Sequence, residues 1–339
     1  MKPPLLLPAA SWNQPRWRGQ RGFYEVYFLK VNLPEQQRAL WLCYTLLAPQ
    51  QGTPIVELWG FYFDHRHPER NWGAKHTLPA AQTNWHARGL PLVLNAEHQL
   101  HHDAATGQLI HNDHTLRWIL AWTPPAHGVS LFPSAWLYHA PLPRTKYLSP
   151  GWDIRVSGTV QVDEQLLQIA EAPAQQAHLW GTRYADEWVW AHCNAFADHP
   201  DAAFEVLHGV VRLAKRPFAA GMLLCLRVGK QFYALRRWRA CRTFRSASAI
   251  GHWQFVAEEQ DFRIEGEIEA PPQHLLGARY TDPSGEPRFC HNTKVGSLHL
   301  RVLIRSGQGW TLAHALHAPD TCAVEWVGCV QDPLVLQWV

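Results

Sequence analysis

The stretch from His178 to Asn194, HLWGTRYADEWVWAHCN, holds the densest group of side chains that could bind or transform an apolar ligand. If its second half forms a strand, alternate side chains share a face. That face carries Trp188, Trp190, His192 and Asn194. Two indoles, an imidazole and an amide combine large π surfaces with hydrogen-bonding tips, as the wall of an apolar pocket requires. The same face would also suit a packed core or a domain interface, and this alternative stays open.

Two glutamates stand alone among apolar residues in segments that alternate like strands. Glu25 shares its side of the segment with Tyr27, and Glu57 shares its side with Trp59. A carboxyl group that is surrounded by apolar residues and lacks a cation tends to keep its proton, and this makes each glutamate a candidate general acid. The alternative is a structural ion pair with an arginine. The arginines considered for this pairing are Arg18, Arg21 and Arg38.

A histidine-rich hairpin between His98 and His114 is a second kind of candidate. Its imidazoles and carboxylates are ligand types that suit zinc or iron. Their spacing fits no established ligand pattern, so a solvated polar hairpin is favoured and no metal ligand is assigned. The sequence also lacks a glycine-rich phosphate loop, a nucleophile elbow and a zinc-protease helix motif. We therefore expect neither a metal nor an organic cofactor.

The composition bounds the class of protein. The chain has 339 residues, 47% of them hydrophobic and only 17% charged, which is incompatible with disorder. A net charge of +3 is far from the basic balance of a nucleic-acid binder. No apolar run is long enough to span a bilayer. Seven cysteines, an odd number without a C-x-x-C pair, favour a reducing cytoplasm. The chain has 18 tryptophans, and this high number suggests that indole side chains line a large apolar space.

The elements that must position these residues are strands. A period of two runs through segments rich in aromatic and branched residues, such as Phe23–Val31, Ala39–Leu47, Ile55–Phe63 and Thr115–Trp122. Proline and glycine cluster at Pro141–Gly151, between two strand-rich halves. The pattern predicts an all-β protein of two antiparallel barrel halves packed together, with domains at 1–150 and 151–339.

The sequence resembles the lipocalin-like superfamily of tocopherol cyclases, carotenoid hydratases, AttH-type proteins and some Diels–Alder cyclases. The tocopherol cyclase signature, W-G, six residues, W-x-W, two residues and C-N, is matched in full. Its positions are Trp180, Gly181, Trp188, Trp190, Cys193 and Asn194. The H-x-W pattern of carotenoid hydratases is matched by residues 178–180. Residues 24–28, YEVYF, are similar to an amino-terminal F-E-G-W-Y strand of the family, with Val26 in place of glycine and Tyr27 in place of tryptophan.

The resemblance implies lipocalin-like (calycin-type) barrels and a cyclase or hydratase that protonates a C=C bond of an isoprenoid without a cofactor. Trp180, Trp188 and Trp190 would then line the pocket and stabilise a carbocation. The roles left for the polar candidates are proton transfer and orientation of a hydroxyl group or water. His178, His192 and Glu25 are the candidates for proton transfer, and Asn194 is the candidate for orientation. Tyr27, Trp59 and Glu57 complete the predicted substrate-binding set.

Two other functions fit the same residues. A carrier that sequesters a lipid or a polyketide would need the same pocket and no reaction. A Diels–Alder-type cyclase would only fold its substrate. The expected partner is in each case a hydrophobic small molecule rather than a nucleic acid, with contact at a membrane surface and a homodimer left open.

Overall fold

The computed structural model describes residues 4–85, 92–213, 216–235, 244–307, 309–335 and 337–339. Almost every element within these ranges is an antiparallel strand, and the strands form two large curled sheets. The predicted all-β class with two lipocalin-like antiparallel barrel halves is confirmed.

The first sheet contains twelve strands from the first 181 residues. They are β1 (Leu5–Pro8), β2 (Phe23–Leu33), β3 (Arg38–Ala48), β4 (Ile55–Asp64), β5 (Trp72–Pro79), β6 (Leu92–Val93), β7 (Gln99–Leu100), β8 (Ala104–His111), β9 (His114–Trp122), β10 (His127–Ser130), β11 (Thr145–Val162) and β12 (Gln165–Gly181). The main order is β5-β4-β3-β2-β12-β11-β9-β8-β7-β6, with β10 linking β1 to β11. The sheet curls until β5 approaches β8, which encloses an interior.

The second sheet contains ten strands from the remainder of the chain. They are β13 (Glu187–Cys193), β14 (Ala203–Leu213), β15 (Arg216–Val228), β16 (Gln231–Ala234), β17 (Arg245–Ala249), β18 (His252–Glu258), β19 (Phe262–Glu269), β20 (Leu276–Thr281), β21 (Pro287–Ser306) and β22 (Gly309–Gly328). The order is β16-β15-β14-β13-β22-β21-β19-β18-β17, and β20 also pairs with β21.

Three apolar clusters organise the packing. The first interior is the cluster enclosed by the first sheet, and the second interior is the one enclosed by the second sheet. The interface core is the third cluster, which lies between the two sheets. In β3, Leu40, Leu42 and Tyr44 face the first interior, while Trp41 and Cys43 face the interface core. Because both faces of such a strand are buried, the segment is apolar almost throughout.

The change of sheet falls between Gly181 and Glu187. The predicted boundary at Pro141–Gly151 instead lies at the start of β11, a strand of the first sheet. Pro150 and Gly151 fall where the pairing of β11 with β12 shifts register between Leu148 and Ile154. Proline and glycine are common at such bulges, so this cluster marks an irregular strand rather than the change of sheet. The division into domains at residue 150 stays a prediction.

Helices are short and lie at the ends of strands. They are α1 (Ala9–Trp12) and the 3-10 turns Pro34–Gln36, Pro68–Arg70, Ala80–Gln82, Ala135–Tyr138 and Pro272–His274. In the part of the chain that the structure describes, none of the helices has the length and apolar character needed to cross a membrane.

Candidate active site

Two residues far apart in sequence, Glu25 and His178, form a buried pair in the first interior. They lie on the neighbouring strands β2 and β12, where Tyr27 is opposite His178 and Trp180 is opposite Glu25. His178 Nε2 is 2.8 Å from Glu25 Oε1, and neither side chain is exposed. A carboxylate only accepts hydrogen bonds, so Nε2 carries the proton and donates it. The pairing of these strands therefore joins the two predicted motifs at one place.

The carboxylate of Glu25 is held by three further N–H groups. The backbone N–H of Arg16 donates to Oε1 at 2.7 Å, and that of Trp17 donates to Oε2 at 3.1 Å. The indole Nε1 of Trp85 donates to Oε2 at 2.9 Å. All partners donate, an arrangement that stabilises an ionised carboxylate. Among the described residues the ionisable side chain bonded to Glu25 is the imidazole of His178, and no arginine side chain forms an ion pair with it. The geometry makes Glu25 the positioning partner of His178.

The imidazole of His178 is sandwiched between aromatic rings. The ring of Tyr27 stacks on it with a centroid distance of 4.0 Å and an angle of 12°, and the ring of Trp180 lies 4.5 Å away at 39°. Burial lowers the pKa of His178, and the charge of Arg16 adds to this effect, while the hydrogen bond and charge of Glu25 oppose it. The imidazole is consequently a stronger acid when protonated than an exposed histidine.

Two buried polar atoms at this place lack a hydrogen-bond partner among the described residues. They are Nδ1 of His178 and the phenol oxygen of Tyr27. Buried polar groups usually have partners, so two such atoms on stacked rings are candidates to meet a ligand. The cluster that fills the first interior, to which Tyr27 and Trp180 belong, is apolar and aromatic, and it also includes Leu29, Leu42, Leu58, Trp72, Trp118 and Trp122.

The predicted face of Trp188, Trp190, His192 and Asn194 lies elsewhere. Trp190 belongs to the interface core, where its ring lies edge-on to Phe28 at 5.4 Å. His192 Nε2 is 2.8 Å from the carbonyl oxygen of Trp152. Burial lowers the pKa of His192 well below its usual value, and the charge of Lys30 adds to this. The structure thus places Trp190 and His192 between the sheets and not beside His178.

Asn194 and Trp188 also make contacts within this region of the protein. Asn194 Nδ2 donates to the carbonyl oxygen of Ala174 and to Asp153 Oδ1, both at 2.9 Å. Its Oδ1 accepts from the ammonium of Lys30 at 3.1 Å. Trp188 is half-buried and stacks on Tyr184 at 5.7 Å. These interactions connect the sheets, which is the alternative that the sequence left open.

A buried carboxylate that sequence reasoning missed is Glu205 on β14. It accepts from Ser149 Oγ at 2.7 Å, Gln175 Nε2 at 2.6 Å and Trp190 Nε1 at 3.0 Å, and from the hydroxyl of Tyr147. Burial raises its pKa, and these four donors oppose the effect. The segment AFEVL around it shows a lone carboxylate in an apolar strand, the same signal that pointed to Glu25.

Glu57 and Trp59 face the second sheet rather than the first interior. Glu57 Oε1 lies 3.5 Å from the ammonium of Lys75 and accepts from Thr77 Oγ1 at 3.3 Å. Trp59 belongs to the interface core and donates from Nε1 to Thr45 Oγ1 at 3.3 Å. Glu57 is thus ion-paired, with a lysine in place of the arginines considered, and neither residue joins His178.

The histidine hairpin contains local hydrogen bonds. His98 Nε2 is 2.7 Å from the carbonyl oxygen of Gln108, and His114 Nδ1 is 3.0 Å from Asp163 Oδ2. Among the described residues, the histidine and carboxylate group close enough to share one ion lies on the second sheet instead. It consists of His252, Glu267 and Glu269.

Comparison with known proteins decides the family. Residues 21–328 match the model of the family described as tocopherol cyclase-like. The chain belongs to the tocopherol cyclase-like family. An uncharacterised protein of Mycobacterium tuberculosis, found in two strains, is 24% identical to this chain over 317 residues. The match covers 90% of this chain and 88% of that protein. The predicted relationship to the lipocalin-like superfamily is confirmed.

Two solved structures share the fold of this tocopherol cyclase-like chain. An AttH-type protein of Nitrosomonas europaea superposes with a TM-score of 0.59 and 11% identity, over 97% of this chain and 100% of that one. Kievitone hydratase of Nectria haematococca superposes with a TM-score of 0.50 and 8% identity, over 90% of this chain and 88% of that one. At these identities the likeness establishes the architecture alone.

Proposed function

We propose that this tocopherol cyclase-like protein is a cofactor-independent cyclase or hydratase for a hydrophobic, isoprenoid-type substrate. The observation that carries the proposal is the buried pair of His178 and Glu25, whose outer nitrogen, His178 Nδ1, has no protein partner among the described residues and lies amid aromatic rings. A proton carrier next to π faces in an apolar interior is what carbocation chemistry needs.

The reaction follows from the two nitrogens of His178. In the imidazolium form Nε2 donates to Glu25 and Nδ1 carries a second proton. Transfer of that proton to one alkene carbon breaks the π bond, forms a C–H bond and leaves a tertiary cation on the other carbon. The rings of Trp180 and Tyr27 stabilise the cation. The oxygen of a substrate hydroxyl or of water then bonds to the cation, and its proton returns to Nδ1.

Membership of the tocopherol cyclase-like family favours this class of reaction. Glu25 has the supporting role because its four donors fix it in place and its charge stabilises the imidazolium. In this proposal Trp180 and Tyr27 contact the substrate, because their rings flank the imidazole of His178. We place the protein in the cytoplasm, in line with the free cysteines among the described residues. A homodimer and peripheral contact with membranes stay part of the proposal.

The test is product formation. The purified protein is incubated with a prenylated hydroquinone and, separately, with an acyclic carotene, and the products are resolved by liquid chromatography and mass spectrometry. We expect an isomer of unchanged mass from cyclisation or a product 18 Da heavier from hydration. Binding of both compounds without any product would overturn the catalytic proposal in favour of a carrier. A product that forms equally well in the His178→Gln variant would favour a cyclase that only folds its substrate.

A further inference from the structure

Arg16 lies beside the candidate site and is not used by the reaction proposed above. We infer that its guanidinium group binds an oxygen of the substrate, so that Arg16 selects ligands whose apolar chain ends in an anionic or strongly accepting oxygen, such as a phenol or a carboxylate. This inference rests on the proposed function, because it concerns the ligand of the same interior.

The side chain of Arg16 lies against the aromatic rings next to His178. Its guanidinium carbon lies 4.9 Å from the ring centroid of Trp180 and 5.7 Å from that of Trp12. The ring of Trp180 in turn lies 4.5 Å from that of His178. Arg16 is half-buried, so its guanidinium is partly exposed to solvent while it contacts the aromatic stack around His178.

Part of the hydrogen-bonding capacity of Arg16 is unused. Nη2 donates to the carbonyl oxygen of Trp12 at 2.6 Å, whereas Nε is buried and has no acceptor among the residues that the structure describes. Among the described residues no carboxylate lies within 4.0 Å of the guanidinium. Withdrawal of a charged group from water is costly unless an opposite charge or an acceptor compensates for it. Burial accordingly lowers the pKa of Arg16. An acceptor oxygen from a ligand would supply the missing partner.

Arg227 provides a comparison, because it also contacts an indole ring and has structural partners within the chain. It also lies over a tryptophan ring, at 5.7 Å from the centroid of Trp152. Its guanidinium is ion-paired with Asp153 and donates to the carbonyl oxygen of Asp201 at 3.2 Å. Arg16 makes the same ring contact but lacks the carboxylate. The difference points to a partner that the described part of the chain does not provide.

A second group that could contact the same oxygen is the hydroxyl of Tyr27. It is fully buried and has no hydrogen-bond partner among the described residues. Burial and the charge of Glu25 raise its pKa, and the charge of Arg16 opposes them. A planar guanidinium together with a phenol O–H forms a two-point donor set for a phenolate or carboxylate oxygen. Fixing the oxygen at Arg16 would leave the apolar chain to extend past Trp180 toward His178.

The test compares ligands that share one chain and differ at the end. The probes are geranylgeranylphenol, geranylgeranoic acid and geranylgeranylbenzene, and binding is followed by quenching of tryptophan fluorescence. The proteins are the wild type, Arg16→Gln, which keeps the backbone N–H bonded to Glu25, and Arg21→Gln as a matched control on an exposed arginine of the same segment. Thermal unfolding of each variant shows that it is folded.

We expect the wild type and Arg21→Gln to bind the phenol or the acid about 10-fold or more tightly than the benzene. Arg16→Gln should lose this preference and still bind the benzene with unchanged affinity. The inference would be overturned if the preference survived in Arg16→Gln, or if that variant lost affinity equally for all three probes. Arg16 would then have only a structural role, through its contacts with Trp12 and Trp180. Failure of the wild type to bind any probe would instead overturn the proposed function.

Discussion

Two buried carboxylates, Glu25 and Glu205, have the same number of hydrogen bonds and different surroundings. Each accepts four, Glu25 in the first interior and Glu205 between the sheets. One donor to Glu25 is an imidazole, a side chain that can carry a second proton, and its other nitrogen has no hydrogen-bond partner among the described residues. The donors to Glu205 are hydroxyl, amide and indole groups. Burial of a charge therefore does not by itself indicate catalysis. The two carboxylates differ because Glu25 is bonded to a proton carrier, His178, whose Nδ1 has no partner among the described residues.

The largest effect should follow from removing that proton carrier. We expect His178→Gln to lower kcat/KM at least 100-fold, since general acid–base groups contribute on the order of 10²–10⁴. The matched control is His192→Gln, because His192 is equally buried and also has a lowered pKa, but lies at the interface core. Turnover is measured on the substrate that gives product in the assay above. Equal losses in the two variants would remove the distinction between the two regions.

In the interface core we expect a substitution to lower the stability of the fold and to leave turnover unchanged. Glu205→Ala should lower the free energy of unfolding by about 3 kcal/mol, because it leaves four donors without their acceptor. Glu57→Ala is the control and should cost less than about 1 kcal/mol, since that ion pair with Lys75 is partly exposed. Denaturant unfolding measures both. At a temperature where Glu205→Ala is still folded, its turnover should equal that of the wild type, and a selective loss of turnover would contradict our assignment.

Smaller effects are expected from glycine substitutions that disturb the packing of an aromatic ring in each sheet. Gly107 lies opposite Trp118 in the first sheet, and Gly266 lies opposite Phe255 in the second. A Cβ atom at either position would overlap the facing ring. We expect Gly107→Ala and Gly266→Ala each to destabilise the fold by about 1–3 kcal/mol, with a lower kcat only in the first, because only Trp118 lines the first interior. Gly309→Ala, which meets nothing closer than 3.9 Å, is the control.

The pH dependence of turnover should follow His178. Since the reaction needs the imidazolium, kcat/KM per folded molecule should rise by up to about 10-fold per unit as the pH falls below 6.5 toward the lowered pKa of His178. Stability should move in the opposite direction. The folded protein keeps buried histidines such as His178 and His192 neutral, so stability is fully present above pH 6.5 and is lost as the pH falls. A rate that instead rises with pH would make His178 a general base.

The sequence predicted which side chains share a face and could not predict what that face touches. Glu25 and Tyr27 on one strand, and His178 and Trp180 on another, were each recognised as pairs. Their meeting depends on the pairing of β2 with β12, between residues 153 positions apart, which no local pattern encodes. Trp190 shows the other limit. Both faces of the central strands are buried, so periodicity alone does not distinguish an enclosed interior from the contact between two sheets.

The most direct test of the account is the fate of a solvent proton. The reaction is run in D2O with the wild type and with His178→Gln. The product is then equilibrated with H2O, so that deuterium bound to oxygen is exchanged for hydrogen, and is analysed by mass spectrometry. Because the proposed reaction transfers a solvent-derived proton from Nδ1 of His178 to carbon, we expect one carbon-bound deuterium in each wild-type product molecule and almost no product from the variant. A wild-type product without carbon-bound deuterium would show that no double bond is protonated and would contradict the central claim.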